Sequence, residues 1–394
     1  MQKLKVIITF LSICLFHLAQ SISSEAIIAA LGAGYKVYNP LWSVKENNGA
    51  LPLNTLAPYQ LSRGSKTKKR NPVVLIHGVI SDSKPYCNWS FLLKQIEEQK
   101  HNGNVSLDDV YIYRYPSAEG NWRDLTNNLN QGLRELMSDY PPDSKLKLVV
   151  SSLGGVLLCD ATLNDKYLND KIIKGVSLGT PFWGTPLLKE DWSVGDSSGN
   201  KTFNWLLFKS TNLFFPSLSE RLAWIPPMDE HTTSLDRCAH LRGKLINYGA
   251  FSQSPLTTDA KSVKHKEITD WVLNKVKTSD YRHSWNALMH YKIGWEILQQ
   301  IPKPMYLLSY NDGLVPIYSS LWLDPEKERF VDQTELTPEV LHKIKQLNPH
   351  ARLFKGVDHS DYTRTDGQTS SNQFFDMLNE INISIAQAVL SDLR

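Results

Sequence analysis

A serine, an aspartate and a histidine stand in the order Ser152, Asp312, His359, and each follows closely on an apolar, strand-like run. These three residue types make up the working parts of acyl transfer. A hydroxyl attacks, an imidazole takes and returns its proton, and a carboxylate orients the imidazole. The developing oxyanion also needs N–H donors. Backbone donors carry no side-chain signature, so position assigns them: the N–H of Leu153, directly after the serine, and that of Val79, in the loop after His77-Gly78.

The serine lies in K-L-K-L-V-V-S-S-L-G-G, residues 145–155, where a buried-strand pattern meets two glycines and then a helix-like run. A serine on a sharp strand-to-helix turn is usually written G-x-S-x-G. That frame aligns Val150, Ser151, Ser152, Leu153 and Gly154, so the first glycine is a valine. Gly154 and Gly155 allow the two backbones to approach, whereas the β-branched Val150 is expected to crowd them. Taking Ser151 as the nucleophile removes every glycine from the flanking positions, so Ser152 is preferred. Asp312 falls in N-D-G, which alone reads as turn chemistry. Asp358 is an alternative carboxylate, but side chains of adjacent residues rarely face each other, and Asp312 is preferred to orient His359.

These residues need a scaffold that delivers them to one edge. From residue 71, short β-branched runs alternate with longer helical stretches: N-P-V-V-L-I-H-G, V-Y-I-Y-R-Y, K-L-K-L-V-V-S and I-I-K-G-V-S-L-G-T-P, then M-Y-L-L-S-Y and A-R-L-F-K-G-V near the end, with a final helix over 372–393. Such alternation argues an α/β chain with a mostly parallel central sheet flanked by helices. The alternation pauses between about Pro186 and Pro304. The expected organisation is a leader over 1–21, a first core part over 22–185, a cap or lid insertion over 186–303 and a second core part over 304–394. Phe203, Trp205, Phe208, Phe214, Phe215 and Trp224 make the insertion aromatic. It reads either as a small cap with its own core or as an apolar surface that opens transiently onto a lipid surface.

Composition bounds the rest. With 394 residues and a net charge of +3, the chain has enough length for a large core and no basic stripe interleaved with aromatics, which excludes nucleic acid as a first partner. Lys3 and Lys5 precede an apolar run and then small residues, the pattern of a secretory signal. Secretion or another location outside the cytoplasm is therefore expected. Loss of Cys14 with the leader would leave Cys87, Cys159 and Cys238, which allow at most one intrachain disulfide. Cys159 lies on the helix behind Ser152 and reads as a small core residue, leaving Cys87 and Cys238 as the expected pair.

The motifs I-H-G, S-L-G-G, S-L-G-T-P-F-W-G-T-P, N-D-G-L-V-P-I-Y-S-S-L-W and D-H-S-D resemble those of secreted α/β-hydrolase lipases, with bacterial triacylglycerol lipases and lipase-like acylhydrolases as the nearest group. The likeness spans about Pro72 to Asp361. It implies an α/β-hydrolase fold with a cap and a lipid or other acyl ester as substrate. It also implies Ser152 as nucleophile, His359 as general base and acid, and Asp312 as orienting carboxylate. No cofactor is required. Related lipases carry a structural calcium, which here implies Asp361 as a ligand with Asp229 or Asp236 as its partner. Two other readings keep the fold: a weak or inactive relative that binds lipid or protein, motivated by Val150, and an acyltransferase or thioesterase using the same triad.

Overall fold

A computed structural model describes residues 54–60, 70–78, 89–102, 107, 109–117, 121–185, 237–251, 310–323, 337–355, 359 and 385–394. In chain order the elements are β1 (Thr55–Gln60), β2 (Val73–Ile76), α1 (Ser90–His101), β3 (Val110–Arg114), α2 (Trp122–Ser138), β4 (Leu146–Ser151), α3 (Leu153–Thr162), α4 (Lys166–Lys171) and β5 (Ile172–Leu178). A short 3₁₀ turn, Ala239–Leu241, leads into β6 (Leu245–Phe251). They are followed by α5 (Ile317–Ser320), α6 (Pro338–Leu347), β7 (Arg352–Lys355) and a last helix, α7, over 385–393.

The seven strands form one sheet in the order β1-β3-β2-β4-β5-β6-β7, with β1 antiparallel to β3 and every other pair parallel. This is an α/β-hydrolase fold: a mostly parallel sheet covered on both faces. The period of two along each strand sorts the side chains between the faces. Val74, Ile76, Leu148 and Val150 join a core with Leu125, Leu129 and Leu133 of α2 and Val156, Leu157 and Leu158 of α3. Val73, Leu75, Val149 and Val176 face the other way, against Leu92, Leu93 and Ile96 of α1 and Val389, Leu390 and Leu393 of α7. Strands buried on both faces read as continuous apolar runs, which is why β2 to β5 stand out in the sequence.

Two elements differ from expectation. Leu245–Phe251 is a central strand between β5 and β7, so the insertion expected over 186–303 is not one continuous cap. The disulfide joins Cys159 to Cys238, with Cα atoms 4.9 Å apart, in place of the expected Cys87–Cys238 pair. Cys159 is indeed buried, but burial and bonding are compatible: the turn before β6 packs against α3 and brings Cys238 within bonding reach. Arg237 reaches Asp160 (3.6 Å) and His240 reaches Thr162 (2.9 Å), so the same turn is fastened to α3 at three points. Cys87, the expected leader and the aromatic residues of the expected insertion lie outside the described residues. Among the described residues no helix is long and apolar enough to cross a membrane.

Candidate active site

Ser152 sits between β4 and α3 with φ 49° and ψ −125°, a backbone conformation rarely adopted by a residue with a side chain. Its N–H donates to Leu178 O (2.9 Å) and its carbonyl accepts from Gly155 N–H (3.0 Å), which pins the turn to β5 and to α3. A serine at the start of a helix usually accepts a bond from the helix's first N–H groups. Asn121, Asp165 and Thr337 do so at the starts of α2, α4 and α6. Ser152 makes no such cap, and its hydroxyl is turned elsewhere. The strain of that conformation, of order 1–3 kcal/mol, is the kind held at functional sites by surrounding structure.

The glycines explain how α3 comes so near the sheet. A Cβ on Gly154 would lie 2.6 Å from Ile76 O and closer still to His77 O. A Cβ on Gly155 would lie 2.9 Å from Thr180 Cβ and closer still to its Oγ1. The close approach is thus over the ends of β2 and β5.

Ser152 Oγ–H donates to His359 Nε2 (2.8 Å), and His359 Nδ1–H donates to Asp312 Oδ2 (2.7 Å). All three side chains are buried, with Asp312 fully so. The N-D-G turn reading and the orienting-carboxylate reading of Asp312 both hold, because its two oxygens do different work. Oδ1 accepts from the N–H groups of Leu314 (3.0 Å) and Val315 (2.7 Å), closing the turn. Oδ2 is left for the imidazole. Three hydrogen bonds offset the cost of burying this carboxylate. The backbone N–H of His359 also donates to Asp312 O (2.8 Å), so the histidine and the acid turn are tied by main chain as well as side chain.

Leu153 opens α3, where the first N–H groups have no partner within the helix, so its N–H is a donor suited to an oxyanion. Val79, Asp358, Asp361, Asp229 and Asp236 lie outside the described residues. Among the described residues no group of three or more His, Cys, Asp or Glu could hold a metal ion.

His77 and Tyr115 are a pair that the sequence did not single out. Tyr115 N–H donates to His77 Nε2 (3.3 Å), so Nδ1 carries the proton and donates to Gly78 O (2.7 Å). Tyr115 Oη–H donates to His77 O (2.8 Å), and the two rings stack with centroids 4.3 Å apart. The end of β2, which leads into the second expected oxyanion donor, is thereby braced against the end of β3. Only the I-H-G motif hinted at this, and β3 supplies the rest from elsewhere in the chain.

No protein-family model matches the chain, and no curated protein sequence does. Solved structures do. A Bacillus licheniformis lipase, BlEst2 in its mature form, is 14% identical with a TM-score of 0.37, over 83% of this chain and 99% of that one. A metagenomic carboxyl esterase, MGS0156, is 13% identical with a TM-score of 0.36, over 88% of this chain and 77% of that one. Lipase B of Aspergillus fumigatus is 13% identical with a TM-score of 0.34, over 53% of this chain and 44% of that one.

Proposed function

We propose that the chain is a secreted serine carboxylic-ester hydrolase that cleaves acyl esters of lipids through an acyl-enzyme. The observation that carries this reading is the Asp312–His359–Ser152 relay, with its bonds of 2.7 and 2.8 Å, on a strained turn at the start of α3. Ser152 Oγ attacks the acyl carbon as its proton passes to His359 Nε2, and the carbonyl electron pair moves onto oxygen. Leu153 N–H and the N–H of Val79 stabilise that oxyanion. Collapse of the tetrahedral intermediate breaks the ester C–O bond, and the departing alkoxide takes the proton from Nε2. Water then attacks the acyl-enzyme by the same route, giving up its proton to Nε2 and releasing the acid. Asp312 holds the imidazole in the tautomer both steps require and stabilises the imidazolium between them.

Lipid as the acyl source is supported by the lipase-like motifs and the aromatic insertion, and export by the apolar leader. The Cys159–Cys238 disulfide suits an oxidising compartment. The test is turnover of p-nitrophenyl esters of several chain lengths by the wild type and Ser152→Ala. The substitution is expected to lower kcat by about 10⁴-fold or more, and equal rates for the two proteins would refute the reading. Faster turnover of long chains and emulsions supports a lipase; a strong preference for acetate makes the protein a plain esterase.

A further inference from the structure

The Leu314–Val315 peptide holds the Asp312 carboxylate at one end and is itself held at the other. Val315 N–H donates to Asp312 Oδ1 (2.7 Å), while Leu314 O accepts from Thr185 Oγ1–H (2.6 Å). The N–H and C=O of a trans peptide point in opposite directions, so Thr185 and Asp312 grip opposite edges of one rigid plane. Thr185 lies just beyond β5, in the S-L-G-T-P-F-W-G-T-P segment, and is 4% exposed. The segment is clamped by further bonds to α5 and the residues just after it, downstream of the acid turn. Trp183 N–H donates to Ser319 Oγ (3.0 Å), Ser319 Oγ–H donates to Gly184 O (2.8 Å), and Trp183 Nε1–H donates to Leu323 O (2.9 Å). Of these bonds, that of Thr185 alone ends on a peptide that touches the carboxylate.

We propose that Thr185 is a positioning residue for Asp312, acting through the Leu314–Val315 peptide; this rests on the reading of Ser152, His359 and Asp312 as a hydrolytic triad. The acid turn contains Gly313 at φ 94°, a point of backbone freedom one peptide before the Leu314–Val315 plane, so a change there would tilt that plane. A tilt would carry Val315 N–H away from Oδ1 and leave Leu314 N–H (3.0 Å) as the turn's remaining donor to it, and rotation of the loosened carboxylate would turn Oδ2 away from His359. The Thr185 hydroxyl removes that freedom. Donation to a carbonyl also strengthens the N–H of the same peptide as a donor, because hydrogen bonds in series polarise one another. The ordered chain thus runs from Thr185 through a peptide, a carboxylate and an imidazole to the Ser152 hydroxyl.

The test uses the full chain with Thr185→Val, which keeps the shape and removes the hydroxyl, and Thr185→Ser, which keeps the donor. With a p-nitrophenyl ester, Thr185→Val is expected to lower kcat about tenfold, with KM changed by no more than about twofold, and Thr185→Ser to restore most of the loss. In an Asp312→Asn background, Thr185→Val should cost less than about twofold, because the residue through which it acts has already been altered. The same tenfold loss in both backgrounds, or no loss in either, overturns the proposal. Proton NMR supplies a readout that needs no turnover. The far-downfield proton of the His359–Asp312 bond, identified by its absence in Asp312→Asn, should move in Thr185→Val and stay in place in Thr185→Ser. An unmoved line in Thr185→Val overturns the proposal. Absence of Ser152-dependent turnover in the wild type would instead refute the hydrolase reading, and the NMR line would still decide the role of Thr185.

Discussion

Val150 pairs with Ile76 across adjacent parallel strands, and both side chains are fully buried in the core beneath α3. The crowding expected of a valine at the first glycine position does not fall on the closest contacts of α3, which are to Ile76, His77 and Thr180. The helix makes its close approach through Gly154 over Ile76 and His77 and through Gly155 over Thr180, while the branch of Val150 fills core.

Val150→Gly is accordingly expected to destabilise the protein and to leave kcat per folded molecule unchanged. Losing a buried valine and adding a flexible glycine in a central strand costs about 3 kcal/mol. Urea unfolding measures the first effect and active-site titration with a fluorophosphonate the second. A rise in kcat per titrated site would show that the valine does restrain the turn.

Legibility in the sequence followed the physics of each element. The strands β2 to β5 were readable because burial on both faces makes them continuous apolar runs, and β7 because A-R-L-F-K-G-V stands directly before the histidine. The edge strand β1 was not legible. It contains Pro58, which the edge of a sheet tolerates and which argues against a strand in sequence alone. Nor was β6, L-I-N-Y-G-A-F, because Asn247 and Gly249 interrupt its apolar run. Gly249 is required by packing that the sequence cannot display: a Cβ there would lie 2.7 Å from a methyl of Leu321 and 2.8 Å from Ser320 Oγ. Ser152, Asp312 and His359 were legible as types, order and position at strand ends. The division of labour between the oxygens of Asp312 was not, and neither was the bond from Thr185 to Leu314, whose residues are 129 positions apart. The M-Y-L-L-S-Y run lies outside the described residues apart from Tyr310.

The Cys159–Cys238 bond closes a loop across a separation of 79 residues, and both sulphurs are buried. Restricting the unfolded chain over such a loop contributes about 4.5 kcal/mol on a chain-entropy estimate. The double substitution Cys159→Ala with Cys238→Ala is expected to lower stability by about 2–4 kcal/mol while leaving the sheet intact, because Arg237–Asp160 and His240–Thr162 still fasten the turn to α3. Burial makes the native bond slow to reduce, so reductant should act on the unfolding midpoint only when unfolding exposes it. Equal urea midpoints for the wild type and the double variant would count against a stabilising role.

Asp165 gives the acid side of the stability profile a specific origin. Its carboxylate caps α4 through Leu168 N–H (2.9 Å) and accepts from Asn130 Nδ2 (2.8 Å) and Arg134 Nε (2.6 Å), linking α2 to α4. Burial alone would raise its pKa, but the bonds from Leu168, Asn130 and Arg134 and the Arg134 charge outweigh it, so the net shift is downward. A carboxyl whose pKa is lower in the folded than in the unfolded chain binds its proton more readily when unfolded. Its stabilisation is therefore fully present above the unfolded value of about 3.9 and is lost as pH falls through the lower, folded value. Asp165→Asn keeps the side-chain shape and removes the charge. At neutral pH it is expected to cost about 1–2 kcal/mol, since the Arg134 side chain is half exposed and its charge partly screened. The gap between wild type and variant, measured by urea unfolding at successive pH values, should hold constant from pH 7 to about 5 and narrow below about 4. Other carboxylates, among them Asp392 beside Arg352, titrate in both proteins and cancel in the difference. A gap that stayed constant to the lowest pH at which the fold survives would show that the charge of Asp165 adds nothing beyond the shape of the cap.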